Sequence, residues 1–351
     1  MAYSTISKPG LHFNTVTYTG NGGTQSITGV GFQPDWTWIK ERNTAVSHQI
    51  FDVIRGATKR IYPDSTSAEN TNADSLTSFD SDGFSLGSAG STNGNSDTFV
   101  SWNWKAGNSQ GSSNTDGTIN TTYTSVNSTA KFSISTYTGT GSAATFGHGL
   151  GVAPTFCLHK ELNSTGPWFV CNVARTGDTG YMYLDQDITG STSGQNFYTA
   201  KPTSSLINLG TDPDINQSGQ TYVAYCFAEV QGFSKFGTYT SNGNADGSFI
   251  YTGFKPAWVM VKNVSSTSAW MLYDNKRDTD VDGNPNTRSL MPNLTNAEDV
   301  NAENVDFLCN GFKCRGTGVK LNNSTDTFAY FAFAAEPLVA NVGAGVRATA
   351  V

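Results

Sequence analysis

Apolar side chains alternate with polar ones over short stretches of this chain, and the stretches come in matched sets of three. Along Trp36-Thr37-Trp38-Ile39-Lys40, one strand face carries Trp36, Trp38 and Lys40. The same pattern returns as Phe156-Cys157-Leu158-His159-Lys160 and as Trp258-Val259-Met260-Val261-Lys262. In each set large apolar groups occupy one face and a lysine is expected to reach outward at the strand end. A second set closes each copy. Val100, Trp102 and Trp104 share a face, as do Val223, Tyr225 and Phe227, and Ala329, Phe331 and Phe333. In the second and third copies the opposite face is also apolar, which predicts a strand under layers on both sides. Trp36, Trp102, Trp104, Trp258 and Phe331 are therefore expected in the core. No stretch of helical length has a convincing 3.6-residue period; Asn296 to Val305 has room for one short helix.

These stretches define a threefold internal repeat. Each copy opens on Tyr18-Thr19-Gly20, Tyr137-Thr138-Gly139 or Tyr239-Thr240-Ser241, and a proline follows at Pro34, Pro154 or Pro256. The period is roughly a hundred residues, the size of a small β domain and too long for a solenoid turn. The predicted fold is all-β: three tandem antiparallel β-sandwich domains of jelly-roll or lectin-like type. Their bounds are 1–107, 131–230 and 231–337, with a Ser/Asn/Gly-rich linker at 108–130 and a small apolar tail at 338–351. The linker reads as a flexible spacer or a turn-rich arm.

Composition agrees with this pattern. Only 14% of residues are charged, and 37 are glycines, which with Asn and Asp serve the many turns of an all-β chain. The net charge of -7 without a basic stripe argues against a nucleic-acid partner. No apolar run has the length of a membrane span, and the amino end lacks a basic-then-apolar leader, so a soluble protein made in the cytoplasm is expected. The five cysteines, Cys157, Cys171, Cys226, Cys309 and Cys314, read as free thiols packed as small apolar groups. A Cys309–Cys314 bridge across a hairpin turning at Asn310-Gly311 is the alternative.

Candidate chemistry is sparse. After each repeated lysine comes a second shared cluster: Phe51, Asp52 and Arg55; Trp168, Asn172 and Arg175; Trp270, Asp274 and Arg277. Trp168, Arg175, Trp270, Asp274 and Arg277 form the candidate binding set, as a carboxylate–guanidinium clamp with a tryptophan stacked on a sugar. The competing reading is a structural ion pair with tryptophan in the core, and recurrence in three copies suits it well. Asp278, Asp280 and Asp282 match the first half of a calcium loop, but Ser289 stands where the bidentate glutamate belongs. Calcium is the one cofactor with any candidate ligands. Gly147-His148-Gly149-Leu150-Gly151 lacks the ending of a phosphate loop, and no Gly-x-Ser-x-Gly elbow occurs. Nothing singles out a carboxylate pair for glycoside cleavage, and a non-enzymatic protein is expected.

Three phrases carry a resemblance. Phe99-Val100-Ser101-Trp102-Asn103-Trp104-Lys105-Ala106-Gly107, the run from Ala224 to Gly237, and the run from Tyr251 to Lys262 resemble a family of repeat-containing virion proteins from marine and freshwater tailed phages. The resemblance spans about residues 10 to 338. It implies a structural virion protein assembled in the host cytoplasm, of tail-fibre or decoration type, and it brings no catalytic residues. The expected partners are other virion proteins and a host-surface glycan or receptor, with a homo-oligomer, a trimer as first guess. The variable loops Thr176 to Asn196 and Asp278 to Asn301 are the expected contact surfaces. A capsid decoration protein is the alternative, and a glycan-cleaving tailspike a weaker one.

Overall fold

The repeated stretches form strands, and each copy assembles them in the same order. A computed structural model describes residues 4–176, 180–191, 196–278 and 284–338, apart from the side chains of residues 175, 176, 301 and 302. The first unit contains β1 (Phe13–Thr19), β2 (Gln25–Ile27), β3 (Trp36–Glu41), β4 (Gln49–Asp52), β5 (Lys59–Arg60), β6 (Asn70–Thr71), β7 (Leu76–Asp80), β8 (Gly83–Leu86) and β9 (Thr98–Trp104). The second contains β10 (Tyr123–Asn127), β11 (Phe132–Thr138), β12 (Ala144–Gly147), β13 (Phe156–Glu161), β14 (Phe169–Asn172), β15 (Met182–Tyr183), β16 (Leu206–Leu209) and β17 (Thr221–Phe227). The third contains β18 (Ser234–Asn242), β19 (Asp246–Tyr251), β20 (Phe254–Asn263), β21 (Met271–Asp274), β22 (Asn286–Ser289), β23 (Asp299–Leu308), β24 (Gly311–Arg315) and β25 (Ser324–Pro337).

The main sheets read β1-β9-β3-β4, β11-β17-β13-β14 and β18-β25-β20-β21, all antiparallel. Register matches as well as order. Trp36 pairs with Trp104 and Asp52, Phe156 with Phe227 and Asn172, and Trp258 with Phe333 and Asp274. Pro34, Pro154 and Pro256 each stand two residues before that aromatic, and Pro256 sits at a register shift in β20. A smaller sheet covers one face of each main sheet: β2-β8-β7, β12-β16 and β19-β24-β23-β22. The fold is thus all-β, built of antiparallel sandwiches, with helix among the described residues confined to single turns.

The other face of each main sheet meets its two counterparts. Trp36, Trp38, Trp102 and Trp104 share one core with Phe156, Leu158, Tyr225, Phe227, Trp258, Met260, Phe331 and Phe333. Ring centroids lie 4.8 Å apart for Trp36 and Tyr225, 4.2 Å for Phe156 and Phe331, and 5.6 Å for Trp104 and Trp258, so aromatic contact crosses all three junctions. The face toward the smaller sheet holds a local core, such as Ile39, Phe51 and Phe99 in the first unit and Cys157, Phe169 and Tyr222 in the second. This explains strands apolar on both faces: one belongs to the sandwich and one to the assembly of three.

Three local expectations change. The linker is no free spacer: β10 pairs with β11 and extends the second main sheet, while Asn127 donates to the Lys105 carbonyl (3.0 Å). Asn296 to Val305 is not a helix, because most of β23 lies there, with Val305 buried opposite Cys314. The hairpin following β23 turns at Cys309-Asn310, one residue earlier than expected, since Leu308 pairs with Gly311. Cys309 lies in that turn and Cys314 across from Val305, so no bridge joins them, and all five thiols are free. The tail beyond Leu338 lies outside the described residues.

Candidate functional site: the junctions between units

The cluster after each repeated lysine lies at the junctions. Trp168 Nε1 donates to the Tyr62 carbonyl of the first unit (2.7 Å), and Trp270 Nε1 donates to the Tyr183 carbonyl of the second (2.9 Å). Both indoles are fully buried, so neither has a face to offer a sugar. Their counterpart in the first unit is His48, four residues before Asp52, as Trp168 and Trp270 are four before Asn172 and Asp274. The buried His48 ring accepts from Trp38 Nε1 (3.0 Å), and burial, then the nearby Lys40 charge, holds its pKa well below the usual range.

The Asp–Arg pairs are buried too. Arg277 Nε donates to Asp274 Oδ2 (2.5 Å) and Arg277 Nη1 to Glu298 (3.0 Å). Arg55 repeats this with Asp52 (2.6 Å) and Glu69 (3.1 Å). The neighbouring unit supplies a further donor to each aspartate: Trp102 Nε1 to Asp274 (2.9 Å) and Tyr225 Oη to Asp52 (2.6 Å). Such paired and hydrogen-bonded charges fix geometry more than they add stability. At the junction of the second and third units the charge is absent from this position, which holds Asn172. The Arg175 side chain lies outside the described residues.

Two of the three repeated lysines bind across these joints. Lys160 Nζ donates to the carbonyls of Glu161, Gly166 and, across the junction, Thr66. Lys262 Nζ donates to those of Ser268 and, across the next junction, Asp187. Lys40 Nζ donates to the carbonyls of Glu41 and Thr44. Burial lowers all three ammonium pKa values to about 8.

Asp187 and Glu298, in the described parts of the two expected contact loops, bond at these joints. Asp187 accepts from Lys262 and, through its carboxylate, from Asn293 (2.6 Å); Glu298 binds Arg42, Arg277 and Arg288. Asp278 accepts from Thr287 Oγ1 (2.8 Å) and N (2.5 Å). Asp280 and Asp282 lie outside the described residues, and among those described no group of His, Cys, Asp and Glu is arranged to hold a metal.

A second repeated set escapes a reading of strand patterns alone. Asn93, Asn216 and Asn322 are buried, and each side chain donates to a glycine carbonyl six residues earlier: Gly87, Gly210 and Gly316. Each amide oxygen accepts from the backbone after the first strand's tyrosine motif, at Asn21, Thr140 and Asn242. The tyrosines of that motif donate to the carbonyls of Thr92, Ile215 and Leu321, one residue before each asparagine. The signal was a constant spacing: each asparagine stands four residues before Asp97, Gln220 or Asp326. The motif's glycine has a steric cause, since a Cβ on Gly20 or Gly139 would lie 2.1 or 2.3 Å from a carbonyl oxygen.

Several pockets open at the surface. One of about 660 Å³ lies where the second and third units meet, lined by Lys131, Thr155 and Glu229 among others. One of about 380 Å³ borders β19 and is lined by Glu229, Gln231, Ser234, Lys235, Tyr251, Thr252 and Gly253. One of about 440 Å³ lies between the first and second units, beside Arg55, Glu69 and Leu162. Each contains a single carboxylate. Beside the second, Tyr251 and Phe249 are 56% and 46% exposed. They alternate along β19 and share its outward face. No helix among the described residues is long and apolar enough to cross a membrane.

Sheet order, register and junctions together define an all-β protein of three sandwiches joined around one core. The chain belongs to the family described as a domain of unknown function, DUF7483, whose model matches residues 8–337. No curated protein matches the chain.

Proposed function

We propose that the chain is a non-enzymatic structural protein of a tailed-phage virion, acting as a tail fibre or receptor-binding adhesin on host-surface glycan. The phage-like phrases around Trp102, Cys226 and Trp258 support the virion setting. The glycan reading rests on one observation: the exposed Tyr251 lines a pocket with Glu229, Gln231, Ser234 and Lys235 on its wall, and the exposed Phe249 stands two residues before it on the same strand face. An aromatic platform beside convergent polar groups suits a sugar ring, which presents C–H faces and hydroxyl edges. Several copies in one particle would turn weak single contacts into firm attachment.

The test uses purified full chain on a glycan array and on host cells, with the Tyr251→Ala/Phe249→Ala double variant beside it. Binding by the parent and its loss in the variant, at unchanged melting temperature, is the expected result. Binding to capsid shells that lack the protein, with none to any host surface, would replace this reading by that of a decoration protein.

A further inference from the structure

Two junctions of this protein carry the same charged cluster, and one has a part that the other lacks. At the junction of the third and first units, Glu298 is met by Arg277, by Arg288 and by Arg42, which enters from the first unit. At the junction of the first and second units, the corresponding residues are Glu69, Arg55 and Lys59. The correspondence is fixed by backbone pairing. Leu290 bridges to Leu272 as Ile61 bridges to Ile50, so Arg288 matches Lys59 and Glu298 matches Glu69. The Glu298 N–H donates to the Arg42 carbonyl (2.7 Å), and the Glu69 N–H donates to the Leu162 carbonyl (2.8 Å). Leu162 therefore stands in the place of Arg42.

A leucine side chain ends where the arginine stem continues, and the difference is a space. The pocket of about 440 Å³ between the first and second units is lined by Leu162, Glu69, Arg55 and Lys59. The Glu69 side chain is 15% exposed, against 5% for Glu298. On Glu298, Arg42 forms a two-pronged contact, Nε to Oε2 and Nη2 to Oε1, both 2.9 Å, and Nη2 also reaches the Arg277 carbonyl (3.2 Å). Glu298 shows that this arrangement holds three cations around one carboxylate; Glu69 has two. The pocket also has an independent feature that suits a planar cation: Tyr123, partly exposed on β10, lies on its wall.

We infer that this pocket binds a guanidinium group, seated on Glu69 as Arg42 is seated on Glu298. The source is an arginine side chain of a partner protein or a free guanidinium compound. The inference is independent of the glycan reading, which concerns a different surface.

Calorimetric titration of the full chain tests it, using arginine amide, citrulline amide and the peptide Gly-Gly-Arg-Gly-Gly as probes. Arginine amide should bind at least tenfold more tightly than citrulline amide, which keeps the shape and lacks the charge. Glu69→Gln should remove that preference. Leu162→Arg should abolish binding by filling the site from within, and it should fold, since Arg42 already occupies the matching place. The peptide binding more tightly than arginine amide points to a protein partner; the reverse points to a small guanidinium ligand. Equal binding of the arginine and citrulline probes, no binding of either, or undiminished binding to Leu162→Arg overturns the inference.

Discussion

The guanidinium of Arg42 holds the carboxylate of Glu298 at 2.9 Å on both arms, across 256 residues of sequence. This contact joins the first unit to the third. With Trp168 reaching back to the first unit and Trp270 to the second, the three units form a closed ring of contacts. Glu298→Ala should cost more than Arg42→Ala. The first leaves the fully buried Arg277 with one counter-charge fewer, while the second leaves Glu298 two cations. Denaturant titration should give a loss of about 3–5 kcal/mol for Glu298→Ala and a smaller one for Arg42→Ala. A loss for Arg42→Ala as large as that for Glu298→Ala would show that the ring contact is misread.

A shared core makes the units interdependent. A fragment of residues 1–107 would expose Trp36, Trp38, Trp102 and Trp104 to water, an apolar patch that soluble monomers rarely carry. The full chain should unfold in one calorimetric transition, and the 1–107 fragment should aggregate or lack a cooperative transition. Three separate transitions would mean that the units are independent beads. In the same core, Trp36→Ala should cost about 3–5 kcal/mol, from lost burial and the cavity left behind.

The sequence made the strands legible because the inward and outward positions of Trp36 to Lys40 and of its two copies follow period two. It also placed Trp168 and Trp270 at equivalent points. What it could not show was their partners, because the carbonyls of Tyr62 and Tyr183 have no side-chain signature. The same holds for the lysines: reading Lys160 as a group reaching outward is natural for a strand end, yet its charge is buried among carbonyls. The pairing of Arg42 with Glu298 was hidden by distance along the chain, and by the absence of an arginine at Leu162 that would have marked a repeat.

Asn93, Asn216 and Asn322 should be as sensitive as the large aromatics. Each side-chain amide is buried and bonds to backbone groups on two sides, fastening the loop after the first strand to the turn before the closing strand. Replacing Asn216 by alanine leaves the buried Gly210 carbonyl without its donor and removes the part-buried bond to the Ser142 carbonyl, a loss of about 1–3 kcal/mol. Asn216→Asp should be at least as damaging, since it brings a charge and removes both donor hydrogens. Thermal melts of the two variants check this. A variant that melts within a degree of the parent would show that these carbonyls find other partners.

The three buried lysines predict an unusual dependence of stability on pH. Burial lowers each ammonium pKa from 10.5 to about 8 in the folded chain. Between these values the unfolded chain holds more protons than the folded one, so stability rises with pH. The gain is lost as pH falls through about 8, where each folded lysine regains a buried charge. Each lysine should contribute on the order of 1 kcal/mol per pH unit inside the window. Buried tyrosines act oppositely at its upper end: burial raises the pKa of Tyr18, Tyr137 and Tyr239, so the unfolded chain releases their protons first above about pH 10. Stability should therefore climb from pH 7.5 to a maximum near pH 9–10 and then fall. Replacing Lys160 by methionine, which keeps the stem and removes the titrating group, should lessen the climb. Denaturant titrations at half-unit steps measure both slopes, and a flat or falling profile in the parent between pH 8 and 9.5 would show that these lysines keep their ordinary affinity for protons.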